Sequence, residues 1–353
     1  MYAKYANDRF LYTAGMADET VQTDARLGRA LAALEARGVR CGVISSAEWV
    51  AAAGGALAGA SLNAERLAGE LRRLGVEVEG SASAGWRLAA DVDLALPEVL
   101  EPRIAGTIFA GGVRHFARIG STSAAAMRAG VEGARDGSVW LAEEQTAGKG
   151  RAGHLWKSNP ADGIYCSALL RPALAPMDVI IFSLAAGLAV VEAVHEATGL
   201  WGDLRWPNDV LLGGRKFCGI LTELNAEATR VRFVVVGMGL NVRNEGFPPE
   251  LEAIATSLRM EAGKRFSRVE LVAALLRRLD VEQASLRNGV SAARESVLRR
   301  FEKHSSFCRD AAVVVEEDGG YEGVTRGLDE RGFLRVESAQ GMRTVLSGGV
   351  RKR

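Results

Sequence analysis

Apolar and polar positions alternate in two different rhythms over the first ninety residues or so. Leucines recur every three or four positions in residues 23–38 and again in residues 63–74, a spacing that buries one face of an α-helix. Between these stretches, Ser45 and Glu48 form a capping-box pattern, which predicts a second, shorter helix. Residues 76–88 then alternate valine with glutamate around a Gly/Ser turn, the pattern of a β-hairpin. The leucines concerned are Leu27, Leu31, Leu34, Leu67, Leu71 and Leu74.

Three helices followed by a hairpin predict a winged helix-turn-helix domain over residues 23–91. The preceding residues 1–22 show no clear period, and we expect an accessory N-terminal extension there. A recognition helix presents cations to phosphates and base edges. The third helix also carries Glu65 and Glu70, so two alternatives stay open: a DNA-binding domain, or a retained structural domain that has lost DNA binding. The candidate DNA contacts are Arg66, Arg72 and Arg73.

The middle of the chain mixes strand and helix patterns. Residues 92–105 contain Pro97 and Pro102, and we interpret them as a linker. A central domain then extends over residues 106–304. Its most apolar run, residues 179–191, is too short to span a bilayer, which favours a buried helix.

The last part of the chain, residues 305–353, changes character. Short alternating runs are separated by Gly-rich turns, which is typical of a small β-barrel. Together these patterns predict an α+β fold with three domains, and 353 residues suffice for a separate core in each.

Composition excludes several classes of partner. Lys and Arg number 44 against 43 Asp and Glu, so the net charge of +1 does not drive the whole chain onto nucleic acid or membrane. The four cysteines are widely scattered, which argues against a zinc site or a disulfide scaffold and fits a reducing cytoplasm. The first residues lack a basic start followed by an apolar core, so we expect no secretion signal.

One glycine-rich stretch, residues 142–156, carries the strongest chemical signal, and we call it the flap. Three glycines alternate there with Lys149, Arg151 and His154, which suits close approach to a phosphate or carboxylate. The flap also matches the dinucleotide fingerprint, but Asn159 and Pro160 follow it where that fingerprint needs a helix. A nicotinamide or flavin site is therefore not expected. A solvated hairpin loop is the plain alternative.

Four further segments accompany the flap in a fixed order. They are residues 120–123 (G-S-T-S), 205–209 (R-W-P-N-D), 215–223 (R-K-F-C-G-I-L-T-E) and 237–242 (G-M-G-L-N-V). The ordered set resembles the biotin protein ligases, of the bifunctional type with an N-terminal winged helix-turn-helix. The resemblance implies a mixed α/β ligase domain of the class II synthetase type in the centre, and an SH3-like barrel at the C-terminal end.

The resemblance implies roles for individual residues. Lys216 would bridge the biotin carboxylate and the α-phosphate of ATP, and Arg151 would hold the acyl-phosphate, so both are implied catalytic residues. The implied biotin-binding residues are Ser121, Thr122, Ser123, Gln145, Lys149, Gly150, Arg151 and Lys216. The implied ATP-binding residues are Gly148, Lys149, Arg151, Asn208, Asp209, Lys216 and Asn241. Asn208 and Asp209 would also lie near a Mg²⁺ ion, which prefers oxygen ligands.

Local sequence leaves some of these roles open. Ser121 or Thr122 could simply cap a helix, and Asn208 could close an Asx turn. Trp156 suits packing as well as stacking on adenine. Lys149 and His154 stand where the family more often has arginine, which puts the detailed flap contacts in doubt.

The implied activity is that of a biotin–[acetyl-CoA-carboxylase] ligase, an ATP-dependent carbon–nitrogen ligase. Such an enzyme activates biotin to biotinyl-5′-AMP and transfers it to a lysine of a biotin carboxyl carrier protein or domain. Operator DNA and a second copy in a homodimer are further implied partners, whereas no membrane partner is expected. Two alternatives remain: a lipoate–protein ligase or transferase with the same catalytic fold, and a biotin-responsive repressor without transfer activity.

Overall fold

The structure, a computed structural model, describes residues 20–54, 63–288, 290–317 and 319–353. Residues 1–19, most of the predicted N-terminal extension, lie outside the described residues. The first elements, in chain order, are β1 (Val21–Gln22), α1 (Ala25–Glu35), α2 (Ser46–Ala52), α3 (Ala64–Arg73), β2 (Val78–Ser81) and β3 (Gly85–Leu88).

The three predicted helices and the hairpin are confirmed, and each helix begins at a side-chain cap. Asp24 and Asn63 accept hydrogen bonds from backbone N–H groups of the first turns of α1 and α3. At α2 the capping box is complete, because the Glu48 carboxylate also accepts from the backbone N–H of Ser45 at 3.1 Å. The predicted leucines are buried around Trp49, except Leu74, which is partly buried. The Trp49 indole N–H donates to the carbonyl of Ala30 at 2.8 Å. The assignment of these elements to the winged helix-turn-helix class stays a prediction.

The segment predicted as a linker, residues 92–105, contains a helix that the sequence analysis did not predict. This helix, α4 (Pro97–Ile104), buries Val99, Leu100 and Ile104. Pro97 occupies the first turn, where its missing N–H costs no hydrogen bond. The role of the segment as a linker between domains stays a prediction.

An eight-stranded sheet forms the centre of the molecule, in the order β1-β4-β5-β6-β10-β9-β8-β7. Only β4 and β5 run parallel, and all the other neighbouring pairs are antiparallel. Strand β1, at the end of the predicted N-terminal extension, unexpectedly supplies one edge. The strands not yet given are β4 (Val113–Arg118), β5 (Ser138–Ala142), β6 (Gly163–Leu170), β7 (Asp203–Arg205), β8 (Asp209–Leu212), β9 (Arg215–Ala226) and β10 (Val231–Asn241).

Helices cover both faces of this sheet. On β10, Phe233 and Val235 pack with helix α5 in one apolar cluster, whereas Val234 and Val236 belong to the main core with α6. Such alternation is the expected consequence of the two-residue period of a strand. The helices not yet given are α5 (Thr122–Val131), α6 (Ile180–Thr198), α7 (Pro249–Glu252), α8 (Leu258–Ala262), α9 (Arg268–Asn288) and α10 (Val290–Lys303).

The apolar run predicted as a buried helix is confirmed as α6. By length and composition, Pro176–Thr198 could cross a membrane, but 78% of its most apolar window is buried inside the protein. Helix α9 lies alongside it. The feature is therefore a core helix.

The C-terminal part is rich in β-structure, as predicted. Its five strands form an antiparallel sheet in the order β14-β13-β12-β11-β15. The indole N–H of Trp206 donates to the carbonyl of Gly332 at 2.9 Å and so joins this part to the central domain. Its SH3-like character stays a prediction. The strands are β11 (Arg309–Val315), β12 (Tyr321–Leu328), β13 (Leu334–Ser338), β14 (Gly341–Val345) and β15 (Val350–Lys352).

Candidate functional site

A cleft of about 450 Å³ lies over the centre of the eight-stranded sheet, beneath the flap. The flap folds back on itself, since Gly150 N–H donates to the His154 carbonyl and Trp156 N–H donates to the Gly148 carbonyl. Ala152 and Gly153 take left-handed conformations at the turn, a region that suits glycine far better than alanine. No α-helix follows the flap before β6, which agrees with the exclusion of a dinucleotide site.

One end of the cleft is lined by hydroxyl and amide groups. Thr122 and Ser123, in the first turn of α5, each lie within hydrogen-bond distance of the Ser167 hydroxyl, at 2.8 and 3.0 Å. The Gln145 amide oxygen accepts from both the backbone N–H and the hydroxyl of Thr122. Its amide nitrogen donates to Ser158. These groups can donate and accept in turn, so this end suits a small polar head group with both kinds of atom.

Ser121 is not among the residues that line the cleft, and its role in biotin binding stays a prediction. Its hydroxyl accepts from the backbone N–H of Ala124 and caps α5. Of the two residues that local sequence left as alternatives, Ser121 is thus the cap and Thr122 faces the cleft.

Ser167 was not predicted, although it is fully buried at the centre of the hydroxyl cluster. We expect Ser167→Ala to raise the KM for the ligand of this polar end by about tenfold, because both neighbouring hydroxyls lose a buried partner. The change in kcat should be small. Steady-state kinetics against that ligand measure both parameters, and a KM within twofold of wild type would contradict the role. Ser347→Ala, which alters a hydroxyl outside the cleft, is the matched control.

The wall opposite the flap is made by glycines on neighbouring strands. Gly219 on β9 pairs with Gly239 on β10. The Trp156 ring lies on this pair, and a Cβ atom at either glycine would come within 3 Å of the ring. Gly237 also lies inside β10, where an added Cβ would come within 2.5 Å of the Ser123 hydroxyl. The small size of Gly219 and Gly239 makes room for Trp156, whose indole N–H is buried without a protein partner.

Lys216 stands at the rim of the cleft on a rigid support. It follows a two-residue hairpin turn in which Gly213 and Gly214 both have positive φ. Its ammonium lies 2.7 Å from a carboxylate oxygen of Asp209 and 5.4 Å from the centre of the Trp156 ring. Lys216 is the second residue of β9, so its backbone is held in the central sheet.

Asp209 holds two cations at once, because its other oxygen accepts from Arg205 at 2.6 Å. Burial works to raise the pKa of Asp209, but the charges of Lys216 and Arg205 outweigh it and keep the pKa below its ordinary value. The carboxylate therefore stays ionised at neutral pH and fixes the position of the Lys216 ammonium.

Arg151 joins three parts of the molecule. Its guanidinium donates to the Asn208 side-chain oxygen at 2.9 Å and to the carbonyl of Gly348 at 3.5 Å. The Asn208 amide nitrogen in turn donates to the carbonyl of Ile220. Asn208 thus reaches across to the flap and to β9 rather than closing an Asx turn. The flap is tied to the central sheet and to the C-terminal loop by one cation.

The predicted Mg²⁺ ligands do not fit a metal site. Both oxygens of Asp209 face cations, and both amide atoms of Asn208 have protein partners. Among the residues that the structure describes, no three His, Cys, Asp or Glu side chains are grouped as metal ligands. Arg205 and Lys216 on the neighbouring strands β7 and β9 pair with the carboxylate that was expected to hold the ion.

A second cavity, of about 890 Å³, lies on the other side of Lys216 and Trp156. Its wall is largely apolar, with Phe247, Pro248 and Leu251, and it also carries amide groups. Asn241 belongs to this cavity rather than to the first cleft, and its amide nitrogen donates to the carbonyl of Thr256 at 3.1 Å. Lys216 and Trp156 are shared by the two cavities.

Most of the predicted site residues are brought together. The first cleft is lined by Thr122, Ser123, Gln145, Lys149, Gly150, Arg151, Asn208 and Lys216. Gly148 lies within the flap and is not among the residues that line the cleft; an added Cβ there would come within 2.4 Å of the Trp156 carbonyl. Cys166 also lines the cleft, and burial raises the pKa of its thiol to about 12, so it is not a thiolate nucleophile at neutral pH.

The three predicted DNA contacts have different surroundings. Arg66 forms an ion pair with Glu70 at 2.8 Å. Arg72 donates twice to the carbonyl of Val78 and lies over the Trp86 ring, so it joins α3 to the hairpin. Its role as a DNA contact stays a prediction. Arg73 is exposed.

Comparison with known proteins gives one consistent result. The model of the "Biotin/lipoate A/B protein ligase family" matches residues 116–241. A Bacillus subtilis protein named "Bifunctional ligase/repressor BirA" is 30% identical over 283 residues, which cover 80% of this chain and 86% of that protein. The "Biotin--[acetyl-CoA-carboxylase] ligase" of Mycobacterium tuberculosis is 35% identical over 66% of this chain and 85% of that protein. Among solved structures, the biotin protein ligase of Aquifex aeolicus in complex with biotin and ATP has a TM-score of 0.59 and 28% identity, covering 69% of this chain and 98% of that one.

Proposed function

The chain belongs to the biotin protein ligases, and from this premise we propose that it joins biotin to ATP and then passes the biotinyl group to a lysine of a carboxylase carrier domain. The observation that carries the proposal is the position of Lys216. Lys216 lines both the polar cleft and the second, largely apolar cavity, so its ammonium can face a ligand in each.

Biotin fits the first cleft. Its ureido ring needs both donors and acceptors, which Thr122, Ser123 and Gln145 supply at the buried end. Its apolar ring and tail would lie along Trp156 and the glycine pair beneath it. The carboxylate would then reach Lys216 at the rim.

The adenine base of ATP fits the second cavity. Trp156 offers an aromatic face, and Asn241 and Asn244 offer amide groups at the edge of an otherwise apolar wall. This arrangement supports the predicted nucleotide role of Asn241. It also reconciles the two alternatives for Trp156, which packs on glycines on one side and borders the base site on the other.

The first step joins two anions. A biotin carboxylate oxygen bonds to the α-phosphorus while the bond to the bridging oxygen of pyrophosphate breaks, giving biotinyl-5′-AMP and pyrophosphate. Lys216 and Arg151 would offset the repulsion between carboxylate and phosphate and stabilise the charge that builds up. The described side chains do not supply a cage for Mg²⁺, because both oxygens of Asp209 and both amide atoms of Asn208 have protein partners.

The second step transfers the acyl group. A neutral lysine amine of the carrier attacks the biotinyl carbonyl, the bond to AMP breaks, and the amine proton leaves with the product AMP or with solvent. A closed flap would keep water from the mixed anhydride until the carrier arrives. No covalent enzyme intermediate is needed, which agrees with the protonated state of Cys166.

The experiment that tests the proposal is a mass measurement. A purified carrier domain incubated with the protein, ATP and biotin should gain the mass of one biotinyl group, and the same mixture with lipoate should give no product. The word biotin in the names of the Mycobacterium tuberculosis relative and of the Aquifex aeolicus structure favours that outcome. Transfer of lipoate alone would establish the sister activity instead.

DNA binding is a second candidate function. It is supported by the word "repressor" in the names of relatives from Bacillus subtilis and Escherichia coli, and by the three helices and hairpin at the start of the chain. A homodimer and a cytoplasmic location remain predictions from the sequence.

On this second function, we expect Arg73→Ala to weaken retention of duplexes selected from a random library in the presence of biotin and ATP. Arg73 is exposed on α3, so its loss removes a phosphate contact without disturbing the fold. Arg72→Ala should instead lower the melting temperature, because Arg72 joins α3 to β2. A gel shift reads the first effect, and equal retention by wild type and Arg73→Ala would contradict it.

A further inference from the structure

Glu143, two residues before Gln145, is held by an unusual set of contacts. Its carboxylate lies 3.0 Å from the His115 imidazole and 2.8 Å from the Arg268 guanidinium. The side chain of His115 is 1% exposed and that of Arg268 is 6% exposed. We define the Glu143 cluster as Thr23, Asp93, His115, Glu143 and Arg268.

Arg268 connects Glu143 to the end of the N-terminal domain. Its Nε donates to the Asp93 carboxylate at 2.9 Å and its Nη2 donates to the Asp93 carbonyl at 2.7 Å. Its Nη1 donates to Glu143 and to the carbonyl of Gly163, the first residue of β6. Asp93 is also paired with Arg243. Arg268 thus contacts three segments at once. They are β6, which carries Ser167, the segment of Glu143 and Gln145, and Asp93.

His115 connects Glu143 to the other end of the same domain. Its Nδ1 lies 2.8 Å from the Thr23 hydroxyl, and Thr23 N–H donates to the His115 carbonyl at 2.9 Å. A neutral imidazole satisfies both side-chain contacts if Nε2–H donates to Glu143 and Nδ1 accepts from Thr23. Thr23 lies two residues before α1, and Asp93 lies five residues after β3. The first residue of the N-terminal domain and a residue just after its end therefore both lead to the Glu143 carboxylate.

The carboxylate stays charged. Burial works to raise the pKa of Glu143, but the hydrogen bond from His115 and the charge of Arg268 lower it to about 2. A buried ion pair of this kind is weak evidence for stability, since desolvation offsets much of the attraction. What it does fix is geometry, because each partner has few positions in which all its hydrogen bonds are made.

We propose that the Glu143 cluster positions Gln145 and Ser167 for biotin, so that Thr23 and Asp93 in the N-terminal part act as positioning residues for the ligand site. The proposal rests on the proposed function for the identity of the ligand. By reciprocity, biotin in the cleft would also restrain the N-terminal domain through the same contacts.

The test compares three single variants and one double variant, Thr23→Val with Asp93→Asn. Asp93→Asn removes the charge paired with Arg268, and Thr23→Val removes the hydroxyl paired with His115. Glu270→Gln is the matched control: it breaks the ion pair between Arg103 on α4 and Glu270 on α9, 2.9 Å long, and leaves the cluster intact. Biotin Kd is measured by calorimetry, kcat and KM by adenylate formation, and the melting temperature by calorimetric scanning.

We expect Asp93→Asn and Thr23→Val each to raise the biotin Kd and KM by about tenfold with kcat within about twofold, since a displaced binding group costs affinity. The double variant should show less than the product of the two effects, because both act through Glu143. Glu270→Gln should match wild type in all three parameters.

Unchanged biotin Kd in both single variants would overturn the proposal, as would an equal rise in Glu270→Gln. A purely structural role would lower the melting temperature and the active fraction while leaving Kd as it is. If Asp93→Asn does not fold, the loss of one hydroxyl in Thr23→Val still decides the question. A wild-type protein that binds biotin but forms no adenylate would contradict the proposed function, and the Kd comparison would still test the cluster.

Discussion

Replacing Lys216 with alanine should reduce kcat/KM for biotinyl-adenylate formation by about 10²- to 10³-fold, the range seen when one group that stabilises developing charge is removed. The ammonium stands between the two cavities and is fixed by Asp209 at 2.7 Å. Without the ammonium, one cation fewer offsets the repulsion between the carboxylate and the phosphate, and Asp209 adds a negative charge nearby. Exchange of labelled pyrophosphate into ATP, dependent on biotin, measures the loss.

Two controls sharpen this result. Lys264→Ala removes a lysine that lies over the Phe266 ring and does not line either cavity, and it should leave the exchange unchanged. Lys216→Arg keeps the charge on a longer, planar group and should recover part of the activity. Near wild-type exchange in Lys216→Ala would show that the assignment of this lysine is wrong.

Replacing Arg151 with alanine should release the adenylate about 10- to 100-fold faster, as expected for the loss of hydrogen bonds from a charged group. Arg151 ties the flap to Asn208 and to the loop at Gly348, so its removal frees the flap from both. Escaped biotinyl-5′-AMP would acylate free amines in solution. Trapping of labelled biotin on added lysine-rich peptide measures the escape.

Arg128→Ala is the matched control for this second prediction, because Arg128 is an exposed arginine of α5 outside the cleft. It should retain the adenylate as wild type does. If Arg151→Ala retained it equally well, the flap would not depend on its contact with Asn208.

Local chemistry explains which helices could be predicted. The caps at Asp24, Ser45 and Asn63 are all within three residues of the groups they bind, so the sequence contains the whole interaction. Helix α4 has no such cap, and its two prolines, Pro97 and Pro102, are residues that usually argue against a helix. Strand β1 is two residues long and exists through pairing with β4, some ninety positions along the chain. No local pattern could reveal it.

The site residues show the same difference between local motifs and long-range contacts. Thr122, Gln145 and Lys216 stand in motifs, and their residue types suit the chemistry wherever they lie. Ser167 is a single serine in an otherwise apolar strand, and its importance arises only where β6 meets the first turn of α5. The Mg²⁺ prediction was not supported for a different reason: the turns that join β7, β8 and β9 bring Arg205 and Lys216, both near in sequence, onto the Asp209 carboxylate.

We propose that two fixed cations at the cleft, Lys216 and Arg151, bring a carboxylate and a phosphate together to form an anhydride. The most direct measurement is pyrophosphate release from ATP by the purified protein, with and without biotin, before any carrier is added. We expect a burst of about one pyrophosphate per active site, and we expect this burst only when biotin is present, because a closed site retains its intermediate. Release that is absent, or that proceeds equally without biotin, would contradict it.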